Sequence, residues 1–285
     1  MKLLLRSVIF LFGVSLVFLP LMAIAADENI QSKVHKLMEV HGINQLAKDV
    51  SGLFLQTFDN DSESGKITKQ LGSLLKQMVL EAYDSEKIKK VYAESIIANL
   101  TEDKVVKLIE EAEKPLSKKI TQMELEANNP ANFNDLQKFL IEIQNKPLPK
   151  ERIEIIQKLE DVCQGVQMNI DLVSNIQLAV ARGVNMALPI EAQQKDDELK
   201  KKANAYLEQI IPTLKQQSFL TYLFAYKNAT DAELNEYVQF YSSELGMEYA
   251  KVSRKAFMDA MNACADELGN LLGKSLVTVK KEEKK

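Results

Sequence analysis

The sequence predicts an all-α protein made of tandem helical units, two diverged copies of a multi-helix bundle behind a cleaved signal peptide. Three observations predict it. Only 10 Gly and 7 Pro occur in 285 residues, so turns are scarce, while Leu, Lys, Glu, Ala and Gln, which favour helix, are abundant. Long segments repeat apolar residues at three- and four-residue spacing. One helix-start signature occurs twice, as Asn99-Leu100-Thr101-Glu102 and as Asn228-Ala229-Thr230-Asp231.

The first element is the export signal, residues 1–25. Lys2 and Arg6 precede an apolar run to Ile24, and Ala23-Ile24-Ala25 is the small-x-small pattern read by signal peptidase. Cleavage is expected after Ala25. An uncleaved anchor is the other reading of such a run, but the polar stretch Ala26-Asp27-Glu28-Asn29 favours cleavage. No Cys lies at the junction, which excludes a lipoprotein anchor. The expected location is therefore the periplasm. Losing Lys2 and Arg6 from 36 basic residues leaves 34 against 40 acidic ones, a net charge near −6. That balance argues against nucleic acid as a partner. No later apolar run reaches ~18 residues, so no stable membrane insertion is expected once the signal is removed.

The first helical unit is placed at 26–145, a Pro-rich linker at 146–150 (Lys146-Pro147-Leu148-Pro149-Lys150), and the second unit at 151–273. A charged, disordered tail is expected at 274–285. Helices are expected at 33–57, 68–80, 85–98, 102–127, 151–187, 196–226 and 230–272, with a kink at Pro212. Asp59 to Gly65 reads as a polar loop. It lacks the spacing and terminal Glu of an EF-hand.

In the last helix Leu234, Tyr237, Val238, Tyr241, Leu245, Tyr249 and Val252 form the apolar stripe. Thr230 is the expected N-cap, with Glu233 completing a capping box. Asn228 suits the left-handed position closing the preceding helix. Aligned on Thr101, the residues Val105, Leu108, Ile109, Ala112, Leu116, Ile120 and Met123 occupy the same seven positions. Upstream, Gly42-Ile43 aligns with Gly165-Val166. The interval from glycine to threonine is 59 residues in one copy and 65 in the other. A tandem duplication accounts for both matches.

The order Phe240-Tyr241-x-Ser243, followed by Leu245-Gly246, resembles the Phe-Tyr-x-Ser-Pro-x-Gly helix of the bacterial exported domain-of-unknown-function family 2059. The resemblance covers about 155–270 well and 35–145 faintly. It implies a helical protein secreted to the periplasm, with no established activity. The second copy departs from the motif at Glu244, where the family has proline. The first keeps Pro115 but has Glu111-Ala112 and Ser117 in place of the aromatic pair and the glycine. Phe240 and Tyr241 read as packing residues beside a helix break.

Little in the chain points to catalysis, and the reading is of a protein that is not an enzyme. His35 and His41, the two histidines, lie six apart on different helix faces and read as surface residues, with no His-Glu-x-x-His motif. No nucleophile elbow, phosphate loop or dinucleotide fingerprint accompanies them, so no cofactor or metal is implied. Cys163 and Cys264 each sit on an apolar helical face. Export permits a disulfide between them, and burial as two thiols is the equal alternative. Glu94-Ser95, after Tyr92, resembles the Glu-Ser pair of lytic transglycosylases. Their Gly-Leu-Met-Gln and Ala-Tyr-Asn segments are absent, and Ala225-Tyr226-Lys227 is no substitute.

The leading functional expectation is a non-catalytic binding or envelope-interaction module. Second comes a carrier of a lipid or other hydrophobic ligand, with Phe219 to Tyr226 as a candidate lining. A peptidoglycan-acting enzyme using Glu94 is third. The partner is expected to be an envelope protein or a hydrophobic ligand.

Overall fold

The computed structural model describes residues 19–63 and 69–282. All regular structure among them is helical. The first unit comprises α1 (Leu19–Val40), α2 (Ile43–Glu63), α3 (Lys69–Ala82), α4 (Ser85–Asn99), α5 (Glu102–Ala112) and α6 (Pro115–Asn128). Next come α7 (Phe133–Asn145), α8 (Lys150–Cys163), α9 (Gly165–Met186), α10 (Asp196–Ala225), α11 (Asp231–Tyr241) and α12 (Glu244–Glu282). Residues 1–18 of the expected signal lie outside the described residues, and the expected cleavage position falls within α1.

Several helices expected to be continuous are each divided at a short break. The span 33–57 divides at His41-Gly42, where Gly42 has φ +71°, and 151–187 divides at Gln164, φ +54°. The spans 102–127 and 230–272 divide at Glu113-Lys114 and Ser242-Ser243. The apolar stripe runs on in phase through the breaks at Glu113-Lys114 and Ser242-Ser243, so spacing alone does not report them. Other expectations need similar correction. α2 continues through Asp59 to Glu63, in place of the expected polar loop, and α12 runs through 274–282, in place of the expected disordered tail. The expected span 196–226 is one helix, α10, with Pro212 inside it.

The two breaks after the threonine-led helices share one geometry. Glu113 has φ −80°, ψ −8°, and Ser242 has φ −86°, ψ −7°. α5 and α11 are both 11 residues long. At the second corner Ser243 Oγ donates to the Phe240 carbonyl at 2.6 Å and accepts the Gly246 N–H at 3.1 Å. Ser243 therefore caps α12. A methyl group at Gly246 would run into the Phe240 carbonyl oxygen and the Tyr241 backbone. At the first corner Pro115 opens α6, where its missing N–H costs nothing. The serine, proline and glycine of the motif are thus the parts of a helix corner.

Thr230 forms the full capping box. It accepts the Glu233 N–H at 3.2 Å, and Glu233 Oε2 accepts the Thr230 N–H at 2.8 Å. Thr101 occupies the same N-cap position but makes no side-chain cap bond, and Lys104, standing where Glu233 does, has no carboxylate to complete a box. Asn228 is not left-handed; Gln164 alone among the described non-glycine residues has positive φ. The turn after α10 is closed instead by Tyr226 N–H to the Tyr222 carbonyl at 3.2 Å and Ala229 N–H to the Tyr226 carbonyl at 2.9 Å. Thr230→Ala is expected to cost about 1 kcal/mol, with Thr101→Ala costing clearly less. Chemical denaturation of both variants checks this, and equal losses would remove the capping box as the cause.

The core does not divide at the linker. One buried cluster joins Val34, Leu37, Ile96 and Ile120 of the first unit to Ile156, Leu159, Phe224 and Leu234 of the second. Another joins Val79, Ala82, Tyr83 and Ile88 to Ala260, Met261 and Cys264 of α12. α12 packs mainly on α9 and α4 and serves as a spine.

Ion pairs across the two halves are reciprocal. With Thr101 superposed on Thr230 in sequence, Lys104 corresponds to Glu233, and Lys119 to Glu248. Lys104 Nζ pairs with Glu248 at 2.6 Å, and Lys119 Nζ pairs with Glu233 at 2.6 Å. The counterparts of one bonded pair are thus themselves a bonded pair, with charges exchanged. Similarly, Lys33 of α1 pairs with Glu102 at the start of α5, and Arg152 of α8 pairs with Asp231 at the start of α11.

Candidate functional site

Between the two halves lies a cavity of about 330 Å³. From α6, Thr121, Glu124, Leu125 and Asn128 line it, a single face at helical spacing. From α12 the corresponding positions line it as well: Ala250, Ser253, Arg254 and Phe257. Six tyrosines complete much of the wall, namely Tyr92, Tyr222, Tyr226, Tyr237, Tyr241 and Tyr249. They come from α4, α10, α11 and α12.

Glu124 is the cavity's central polar group. Its Oε1 accepts hydrogen bonds from Tyr226 at 2.6 Å and Tyr237 at 3.2 Å. Oε2 has no hydrogen-bond partner among the described residues. Burial pushes the Glu124 carboxyl above its ordinary range, an effect the two phenols partly offset. The corresponding residue, Ser253, meets Tyr92 of the other half, Oγ to phenol oxygen 2.7 Å. The site is therefore symmetric in outline and asymmetric in charge.

His41 sits at the break between α1 and α2 and lines the same cavity. Its ring stacks on Tyr249 with centroids 4.6 Å apart. Nε2 is buried without a partner. Desolvation lowers its pKa to about 4, so the imidazole is neutral at neutral pH. The expectation of two surface histidines is thus corrected for His41, while His35 is exposed. Helical spacing does place His41 on the buried face of α1, three residues after Met38, four after Leu37 and seven after Val34.

The other residues singled out in the sequence are placed as follows. Tyr241 is buried and packs edge-on against Tyr237 at 4.9 Å and Phe240 at 5.0 Å; it also walls the cavity. Phe240 is partly buried against the same cluster. Cys163 and Cys264 are free thiols in different parts of the core. Burial, then the charges of Glu124 and Glu160, raise the Cys163 thiol to about 12, which leaves it unreactive. Within the run from Phe219 to Tyr226, Tyr222, Ala225 and Tyr226 face the cavity, whereas Leu223 and Phe224 lie in the core. Glu94 is outside the cavity. Its side chain is 64% exposed, 4.0 Å from Lys90, and only its neighbour Ser95 is buried, donating to Asp259 at 2.8 Å. The desolvation that a lone catalytic acid requires is absent at Glu94.

Glu124 was not among the residues singled out. Its signal in the sequence is an acid four residues after Ile120 and one after Met123, on the buried side of an amphipathic helix. Among the described residues no cluster of His, Cys, Asp and Glu is placed to hold a metal ion. No described helix is long and apolar enough to cross a membrane. Comparison of the chain with family models, curated proteins and solved structures finds no match.

Proposed function

We propose that the chain is a non-catalytic binding module of the bacterial envelope, with the cavity between its two helical units as the ligand site. One observation carries this reading: the cavity holds a buried imidazole nitrogen without a partner beside a carboxylate with an open oxygen. Unpartnered buried polar groups cost about 1–3 kcal/mol each. The cavity holds one such group, His41 Nε2, together with an open carboxylate oxygen of Glu124, and that combination suits a ligand better than it suits a core. The volume is at the lower end of the ~300–1,000 Å³ range of small-molecule sites. Together with its polar groups, that size favours a small ligand with a polar head over a long acyl chain.

The export signal and the resemblance of Phe240 to Gly246 support the location. Reciprocal ion pairs and the shared corner support a tandem duplication, with the cavity lined by the equivalent helices α6 and α12. Purified mature protein is expected to begin at Ala26, which N-terminal sequencing checks; retention of residues 1–25 would oppose the export reading. Binding is tested with 4-fluorophenol, followed by fluorine NMR. Saturable binding is expected for the wild type, with loss in a folded Ala250→Trp variant whose indole fills the space. A response that does not saturate would overturn the cavity as a site.

A further inference from the structure

We infer that the cavity takes a small organic ammonium ion, set against the Glu124 carboxylate and walled by tyrosine rings. This rests on the binding reading above and names its ligand class.

Among the described residues the Glu124 charge has no counterion. Its two donors, Tyr226 and Tyr237, are neutral phenols, and none of the ion pairs among the described residues involves it. Burying a carboxylate without an opposite charge is costly, and a cationic ligand offsets that cost where the fold does not. Arg254, the one Lys or Arg among the lining residues, is turned to Gln164, with which it hydrogen-bonds at the exposed rim. His41 does not supply the charge either, since its buried ring stays neutral.

The surrounding field has the same sign. Glu160 accepts the Val166 N–H at 3.0 Å, beside the cavity wall. Burial raises both Cys163 and Tyr222, and the charges of Glu124 and Glu160 reach the two groups and raise them further. Aromatic walls suit such a guest, because the ring faces attract cations and ammonium ions without a hard hydration shell fit best. The unpartnered His41 Nε2 offers a hydrogen bond to a polar tail on the same ligand.

Choline and its uncharged isostere 3,3-dimethyl-1-butanol separate charge from shape. Titration calorimetry on the full chain is expected to show saturable choline binding, with the isostere at least tenfold weaker. Glu124→Gln is expected to bring choline down to the level of the isostere while leaving 4-fluorophenol binding unchanged, which also shows the variant is folded. Equal affinity for choline and the isostere would overturn the ammonium assignment and leave the binding reading standing. So would binding of 4-fluorophenol with no binding of either choline or the isostere. If none of the three binds, both readings fall.

Discussion

Gly269→Val is expected to lower the melting temperature by ~6–12 °C. The reason lies where α9 crosses α12. A methyl group on Gly269 would meet the Ala179 carbonyl, and one on Gly183 would meet the Gly269 carbonyl, both well inside van der Waals contact. The obstacles are backbone atoms, so no side chain can swing aside and the helices must separate. Overpacking costs typically ~1–3 kcal/mol, and the upper end applies where backbone meets backbone. For a chain of this size each kcal/mol moves the melt by ~2–4 °C. On an exposed helix, replacing glycine with alanine would instead gain ~1 kcal/mol, so the sign itself reports the crossing. Gly273→Ala should be milder. Its methyl would stand 2.9 Å from the Gly183 carbonyl oxygen and 3.3 Å from Met186 Cβ. A calorimetric scan of the three proteins checks the order, and a wild-type melt for Gly269→Val would show that the helices are not held in backbone contact.

Features that depend on a few neighbouring residues were legible in the sequence. Helical class follows from the scarcity of Gly and Pro, and the Thr230 box needs only Glu233, three residues on. Thr101 shows the limit of that logic. The same residue in the same N-cap position makes no side-chain bond, and Lys104, in the place of Glu233, reaches across the molecule to Glu248 instead of back to the cap. Corners such as Ser242-Ser243 were hidden by stripes that stay in phase across them. The cavity was hidden for a different reason. Glu124 and His41 are residue types that ordinarily face water, and only the pairing of the two halves around the cavity turns them inward. The sequence does hold a cue to that pairing. Lys104 and Lys119 in one copy correspond to Glu233 and Glu248 in the other, a charge exchange that makes sense if each position pairs across the halves with the other's counterpart. Asymmetry between Glu124 and Ser253 then marks where the two copies ceased to be interchangeable.

His41→Phe is expected to flatten the loss of stability between pH 7 and pH 5. The His41 pKa falls from 6.5 to about 4 on folding. Between those values the unfolded chain binds the proton that the folded chain refuses, so stability is complete above pH 6.5 and drains away as the pH falls towards 4. At one pKa unit per ~1.4 kcal/mol, the full effect is about 3 kcal/mol. Glu124 has the opposite sign. Its folded pKa lies above the ordinary carboxylate value, so the folded state takes up the proton first, and acidification through that range adds stability. Glu233 belongs to a lower window. Lys119 and the Thr230 N–H hold it near 2, and its small, solvent-screened contribution disappears only below the ordinary carboxylate range. Two variants therefore separate the opposing groups: Glu124→Gln should steepen the acid loss, and His41→Phe should remove most of it. Phenylalanine also deletes the orphaned Nε2 while keeping the ring against Tyr249, so this variant should melt higher at pH 7 as well. Denaturant titrations at pH 7, 6 and 5 measure all of this. Parallel pH profiles for wild type and His41→Phe would mean that the imidazole is solvated after all, and the cavity would lose one of the two groups that make it a site.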